Sequence, residues 1–359
     1  MKTPDIAIKS IAISIALIVI CATSSFVGDT TICKPLNYGR HKVGFKTITL
    51  KNQNGDTLLI SLWYPAANST RKMLLQDYIK AGNISSTDPE LRLTRFRGLL
   101  LRLYGETGRV TDPEFEHLLA APFIANSAAS IEKGSFPLVI AQAEPTGYPD
   151  TFEFLASNGF VVATVTLNRR DENDDRFLYK QSTDALQYLL NYMSRQPYIK
   201  RSDISAFSHG GGIQPAFYLA MRETDLKCVI NIDGGVFGPR SKTTRSIDYK
   251  PLNLKAPMLY LASTDQQAED DISQIRVLKN PIFELELTSA SMHHHDFTIW
   301  GRVIDCGLNR RGSDSVFVRK VFSDTQNLVL QFLKTRTINQ ADIAKMPFRL
   351  IRYNTSVSP

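Results

Sequence analysis

The chain has 359 residues, 43% hydrophobic and 21% charged, a balance that excludes a disordered protein and allows one large core or two modest ones. Its net charge of +7 is spread along the sequence rather than gathered in blocks. Nothing in it resembles a nucleic-acid module, and an anionic surface or substrate is favoured only weakly.

Taken in order, the first residues carry two lysines, an apolar run from Ile11 to Ile20 and small residues at Ala22 and Ser24. This is the layout of a secretory signal peptide over residues 1–25, so an exported protein, secreted or periplasmic, is expected. The run is shorter than the roughly 20 apolar residues a membrane span needs. Membrane contact is expected only through this segment, if it is retained as an anchor. Cys21 follows Ile20 where a lipidated cysteine needs a small neighbour, so lipidation is not expected. Cys33, Cys228 and Cys306 remain after removal of the signal. Cys228 lies in the apolar run CVINI and reads as a packing residue, while a Cys33–Cys306 bridge fits export without being required by it.

Residues 26–340 read as a single domain. Val43–Leu50 and Thr57–Pro65 flank the turn NQNGD and predict an antiparallel hairpin. Residues from about 66 to 135 have helical apolar spacing in LLQDYIK, LRLTRFRGLLLRLYG and FEHLLAAPFI, which predicts a helical insertion. Arg92, Arg95, Arg97 and Arg102 alternate with leucines there, as on an amphipathic helix with a solvated face. Short apolar strands follow at Pro137–Gln142, Phe160–Thr166, Ile204–Phe207, Cys228–Ile232, Pro257–Ser263 and Ile282–Leu287, separated by helical stretches. Continuous apolar strands alternating with helices predict an α/β architecture with a mostly parallel central sheet flanked by helices. The tail, residues 341–359, carries no clear signal.

In such sheets ligands sit beyond the carboxyl ends of the strands. Ser208 in AFSHGGG follows one end, Asp233 in CVINIDGG another, and the run His293, His294, His295 a third. A strand turning sharply into a helix would expose the Ser208 hydroxyl as a nucleophile, with the His209 amide facing an oxyanion; Ala206 replaces the first glycine of G-x-S-x-G. A serine needs a base, usually a histidine oriented by a carboxylate. Of six histidines, only the 293–295 run lies after a late strand, and His294, opening H-x-D-F, is the choice. Asp233 is preferred as the acid over Asp265, which follows the next strand. Each residue also has a bland reading: Ser208 as a helix cap, Asp233 in an Asx turn, Asp265 as a cap. Three adjacent histidines suggest metal, but adjacent side chains diverge and no second Cys/His cluster completes a site, so no metal is expected.

These segments, VGFKTITL, LISLWYPA, PLVIAQ, FLASNGFVVATV, DISAFSHGGG, CVINIDGG, PMLYLAS, MHHHDFT and VFSDTQNLVLQFL, resemble the α/β-hydrolases of the platelet-activating-factor acetylhydrolase and dienelactone-hydrolase-like group. Residues 66–135 match least. The resemblance implies the α/β-hydrolase fold and a serine hydrolase cleaving carboxylic esters through an acyl-enzyme on Ser208, with Asp233 as acid and His294 as base, and without a cofactor. The His-Gly pair that such proteins carry after the third strand is replaced by AQAEPTGYP, leaving the amide of Glu144 or Thr146 as second oxyanion donor, since Pro145 has none. The expected partner is a small-molecule ester with an apolar group, suggested by the Leu- and Phe-rich insertion. The alternatives are a catalytically silent binding protein of the same fold and a metal-dependent hydrolase.

Overall fold

The computed structural model describes residues 36–82, 88–167, 179–210, 213–234, 243–263, 280–288, 292–312 and 314–354. The predicted signal peptide, Cys33 and Asp265 lie outside them, as does the side chain of Cys306. No helix among the described residues is long and apolar enough to cross a membrane.

The predicted hairpin forms from β1 (Lys42–Lys51) and β2 (Thr57–Ala66), with Leu50 opposite Leu58. Its turn closes because the Asn52 side-chain oxygen accepts from the amides of Asn54 and Asp56, and Gly55 supplies the left-handed backbone at φ +80°. The insertion is only partly helical. It holds β3 (Lys72–Leu74), α1 (Leu75–Ala81), α2 (Pro89–Tyr104), α3 (Asp112–Leu119) and β4 (Pro122–Ser127). Helix α2 starts where Asp88 caps the Glu90 amide at 2.9 Å and Pro89 takes the first turn. The segment PFIANS, expected to extend a helix, instead pairs with β1 and β3, because the edge of β1 offers unpaired backbone groups.

The next elements are β5 (Phe136–Ala141), α4 (Pro149–Ser157), β6 (Val161–Leu167), α5 (Lys180–Met193), β7 (Ile199–His209), α6 (Ile213–Arg222), β8 (Val229–Ile232), β9 (Met258–Ala262) and β10 (Ile282–Leu287). Then come α7 (Ile299–Arg302), α8 (Asp314–Thr335) and β11 (Phe348–Asn354). The sheet order is β11-β10-β9-β8-β7-β5-β6-β2-β1-β4-β3. From β6 to β10 all neighbours are parallel. β11 closes that edge antiparallel to β10, so part of the tail, read as carrying no signal, is a strand.

Side chains alternate across the sheet. Phe207, Ile230 and Leu261 pack on one face with α4, α8 and the insertion; Ala206, Val229 and Tyr260 pack on the other with α5 and α6. Buried Glu153 of α4 locks the insertion in place, accepting from the Tyr78 hydroxyl at 2.6 Å and from the amides of Ile124 and Ala125 at 3.0 Å. Burial pushes its carboxyl up to about 8. Cys228 is buried and free, its thiol pushed up by burial to about 11, consistent with a packing role.

Candidate active site

Three loops converge beyond the carboxyl ends of β7, β8 and β10. Asp233 follows β8 in the left-handed region at φ +48° and is fully buried. Its Oδ1 accepts the Ser263 amide at 2.6 Å, and its Oδ2 lies 2.7 Å from His294 Nδ1. Burial pushes the Asp233 carboxyl up, but hydrogen bonds from His294 and Ser263 outweigh it and hold the group below its ordinary value. The hydrogen bond to Asp233 fixes Nδ1 as the protonated nitrogen of neutral His294 and leaves Nε2 as the basic one.

The loop that carries His294 is held from several sides. Buried Asp296 accepts the His293 amide at 2.7 Å and a two-pronged ion pair from Arg311 at 2.7 and 2.8 Å. His209 stacks on His294 with ring centroids 4.4 Å apart. The Tyr148 hydroxyl meets His209 Nδ1 at 2.7 Å, and His209 Nε2 meets the His294 carbonyl at 3.1 Å. His293 is exposed, and the His295 ring lies edge-on to His294.

Burial above all drives the His209 imidazole down to about 3, so it is neutral when folded. An unfolded histidine titrates near 6.5. Its contribution to stability is therefore complete above that value and is lost as pH falls toward 3. Glu153, raised when folded, has the opposite slope, so the comparison must be made between variants. The protein should lose about 2 kcal/mol more than His209→Gln between pH 7 and pH 5, read from urea midpoints. Equal losses in the two proteins would show that His209 is protonated in the fold.

Ser208 is placed differently from the sequence expectation. The strand predicted to end at Phe207 runs on to His209, with Ser208 opposite Asn231 and His209 opposite Ile232. Two further ladder positions move Ser208 from the turn into the sheet, where its Oγ donates to the Ile230 carbonyl at 2.8 Å. Among the described residues it makes no hydrogen bond to His294. The residue at the turn is Gly210, at φ +53°. A Cβ at that position would lie 2.8 Å from His294 Nε2. The basic nitrogen of the pair thus points where a side chain of residue 210 would project, and that residue has none. The signal for this was present in the sequence: SHGGG read two residues later puts glycine, not serine, at the centre of the turn.

The other expected oxyanion residues are also located. His209 is in the β7 ladder rather than at a helix start. Glu144 opens a turn in which its carbonyl accepts the Gly147 amide at 2.9 Å, with Pro145 in the position prolines favour. His209, Asp233 and His294 bring one ligand atom each within 4.8 Å of one another. Both nitrogens of His209, both oxygens of Asp233 and Nδ1 of His294 already have hydrogen-bond partners. A cation would have to displace these bonds, so the donor set does not fit a metal centre.

No protein-family model matches the sequence, and neither does any curated protein. A solved structure of a ferulic acid esterase from Streptomyces cinnamoneus superposes with a TM-score of 0.59 at 16% identity, covering 87% of this chain and 97% of that one. The fold is that of the α/β-hydrolases. A hypothetical protein from Pseudomonas aeruginosa gives a TM-score of 0.32 at 11% identity, over 59% of this chain and 52% of the other. In the α/β-hydrolase fold the turn after the central strand, here β7, is where a nucleophile is carried, and in this chain that turn is centred on Gly210.

Proposed function

We propose that this α/β-hydrolase-fold protein cleaves carboxylic esters by general-base catalysis, with water rather than Ser208 as the nucleophile. The observation that carries the reading is the Asp233–His294 pair, 2.7 Å apart, whose free Nε2 faces the side-chain-less Gly210. A water in that space gives a proton to Nε2 as its oxygen bonds to the ester carbonyl carbon. Asp233 holds the tautomer and stabilises the imidazolium that forms. Backbone amides near the β7 turn and the Glu144–Gly147 turn would receive the oxyanion. The imidazolium then protonates the leaving alcohol as its bond to carbon breaks, and acid and alcohol depart without an acyl-enzyme. An esterase among the structural neighbours supports the ester class, and the motifs resembling acetylhydrolase and dienelactone-hydrolase-like proteins support a small-molecule substrate. The apolar run of the first 25 residues supports export.

Glycine at position 210 also favours a second reading, a silent protein of this fold that binds an ester or its acid without turnover. Nitrophenyl esters graded by acyl length, together with fluorophosphonate labelling, separate the readings. Hydrolysis without a covalent adduct is expected. No turnover of any ester would favour the silent protein, and an adduct on Ser208 would restore the serine mechanism.

A further inference from the structure

A pocket of ≈ 160 Å³ opens between α2 of the insertion and α7, the short helix that follows the His294 loop. Its walls include Arg92, Arg95, Phe96, Leu99, Glu144 and Trp300. The Phe96 and Trp300 rings pack face against face, centroids 4.4 Å apart and tilted by 31°, so buried Phe96 backs the part-exposed Trp300 at the pocket. The pocket adjoins the catalytic loops through the backbone, since the Ile299 amide donates to the Gly147 carbonyl at 3.0 Å. It is therefore attached to both the His294 loop and the Glu144–Gly147 turn.

We propose that this pocket binds a single aromatic ring carrying a free carboxylate, the non-reacting part of the ester substrate. The proposal rests on the reading of the protein as an ester hydrolase and names its substrate class. Size sets the ring: a cavity of about 150 Å³ takes up one benzene-sized group. The Trp300 indole, held in place by Phe96 behind it, suits an aromatic partner better than a flexible chain. Charge sets the substituent. Arg92 donates to the Lys80 carbonyl, whereas Arg95 lines the pocket as an exposed residue and forms no ion pair among the described residues. A planar guanidinium meets a carboxylate through two parallel hydrogen bonds. Glu144 brings one negative charge to the same walls: burial raises its carboxyl, and Arg92, which lies near enough to draw it down, opposes that charge. The Arg and Leu alternation in LRLTRFRGLLLRL, read from sequence as a solvated helix face, thus has part of its basic side turned toward a pocket.

The test measures binding and so does not depend on turnover. The chain has two tryptophans, and Trp63 is fully buried in the core, so ligand entry should be reported by Trp300. Titration of the full chain with benzoate should change tryptophan emission saturably, and the change should vanish in Trp300→Phe. Benzamide, equal in shape and uncharged, should bind at least tenfold more weakly, and Arg95→Gln should weaken benzoate by a similar factor, or about 1.4 kcal/mol. Equal affinity for benzoate and benzamide, unchanged affinity in Arg95→Gln, or no saturable signal would overturn the proposal. Benzoate binding in a protein that hydrolyses no ester would count against the hydrolase reading and leave the pocket standing.

Discussion

Gly210→Ser should turn the protein into one that is covalently labelled by a fluorophosphonate. The wild-type chain should not be labelled. Position 210 has a left-handed backbone, which costs a serine about 1–3 kcal/mol of stability. Its Cβ would also come within 2.8 Å of His294 Nε2, closer than ordinary contact. The atoms in the way belong to the far end of a part-exposed side chain, so the His294 ring must shift to admit the serine. The new hydroxyl would then lie beside the basic nitrogen of a histidine already oriented by Asp233, the arrangement that activates a serine. Mass spectrometry of the labelled variant should locate the adduct at position 210, and rapid-mixing assays with nitrophenyl esters should show a burst of acyl-enzyme. An unlabelled, folded Gly210→Ser would mean that Nε2 does not face the turn. The same experiment on Ser208→Ala, with the glycine kept, should show no change from wild type.

The second large effect concerns the pair itself. His294→Ala and Asp233→Asn should each lower kcat for ester hydrolysis by about 10²- to 10⁴-fold with little change in KM, because one removes the base and the other its tautomer. Ser208→Ala should stay within about twofold in kcat while costing about 1 kcal/mol of stability, the net worth of its hydrogen bond to the Ile230 carbonyl. Asp265→Asn, at the other sequence candidate for the acid, should have little effect on kcat. A loss in Asp265→Asn larger than in Asp233→Asn would place the orienting carboxylate on the other strand. A loss in Ser208→Ala comparable to that in His294→Ala would show that the serine moves out of the β7 ladder to react.

The contrast between Ser208 and Gly210 shows where the sequence is readable. The strand–helix alternation from Phe136 to Leu287 is legible because each strand carries a short run dominated by apolar residues and is bounded by turn residues. Asp233 and His294 are legible for the same reason, since one directly follows such a strand and the other lies in the loop after one, both at the carboxyl edge of the sheet. The length of β7 is not legible. Ser208 and His209 are polar, so the apolar run stops at Phe207, yet their backbones still pair with β8. In a period-two element an error of two residues keeps the same face and moves the functional position along the chain. The peripheral strands β3, β4 and β11 are not legible because such short segments have little pattern of their own; what makes them strands is the exposed ladder of β4, β1 or β10 beside them.

Composition and apolar rhythm by themselves determined an α/β chain with a parallel sheet, a hairpin at its start and an acid and a base at its carboxyl edge. These follow from local burial, which each segment carries in its own side chains. Only the tertiary structure decided which residue stands at the turn opposite His294. It also decided that Tyr148, Ser263 and Arg311 hold the surrounding groups in place. Those positions depend on strand pairing and on contacts between residues as much as 85 apart, as with His209 and His294, which no local pattern encodes.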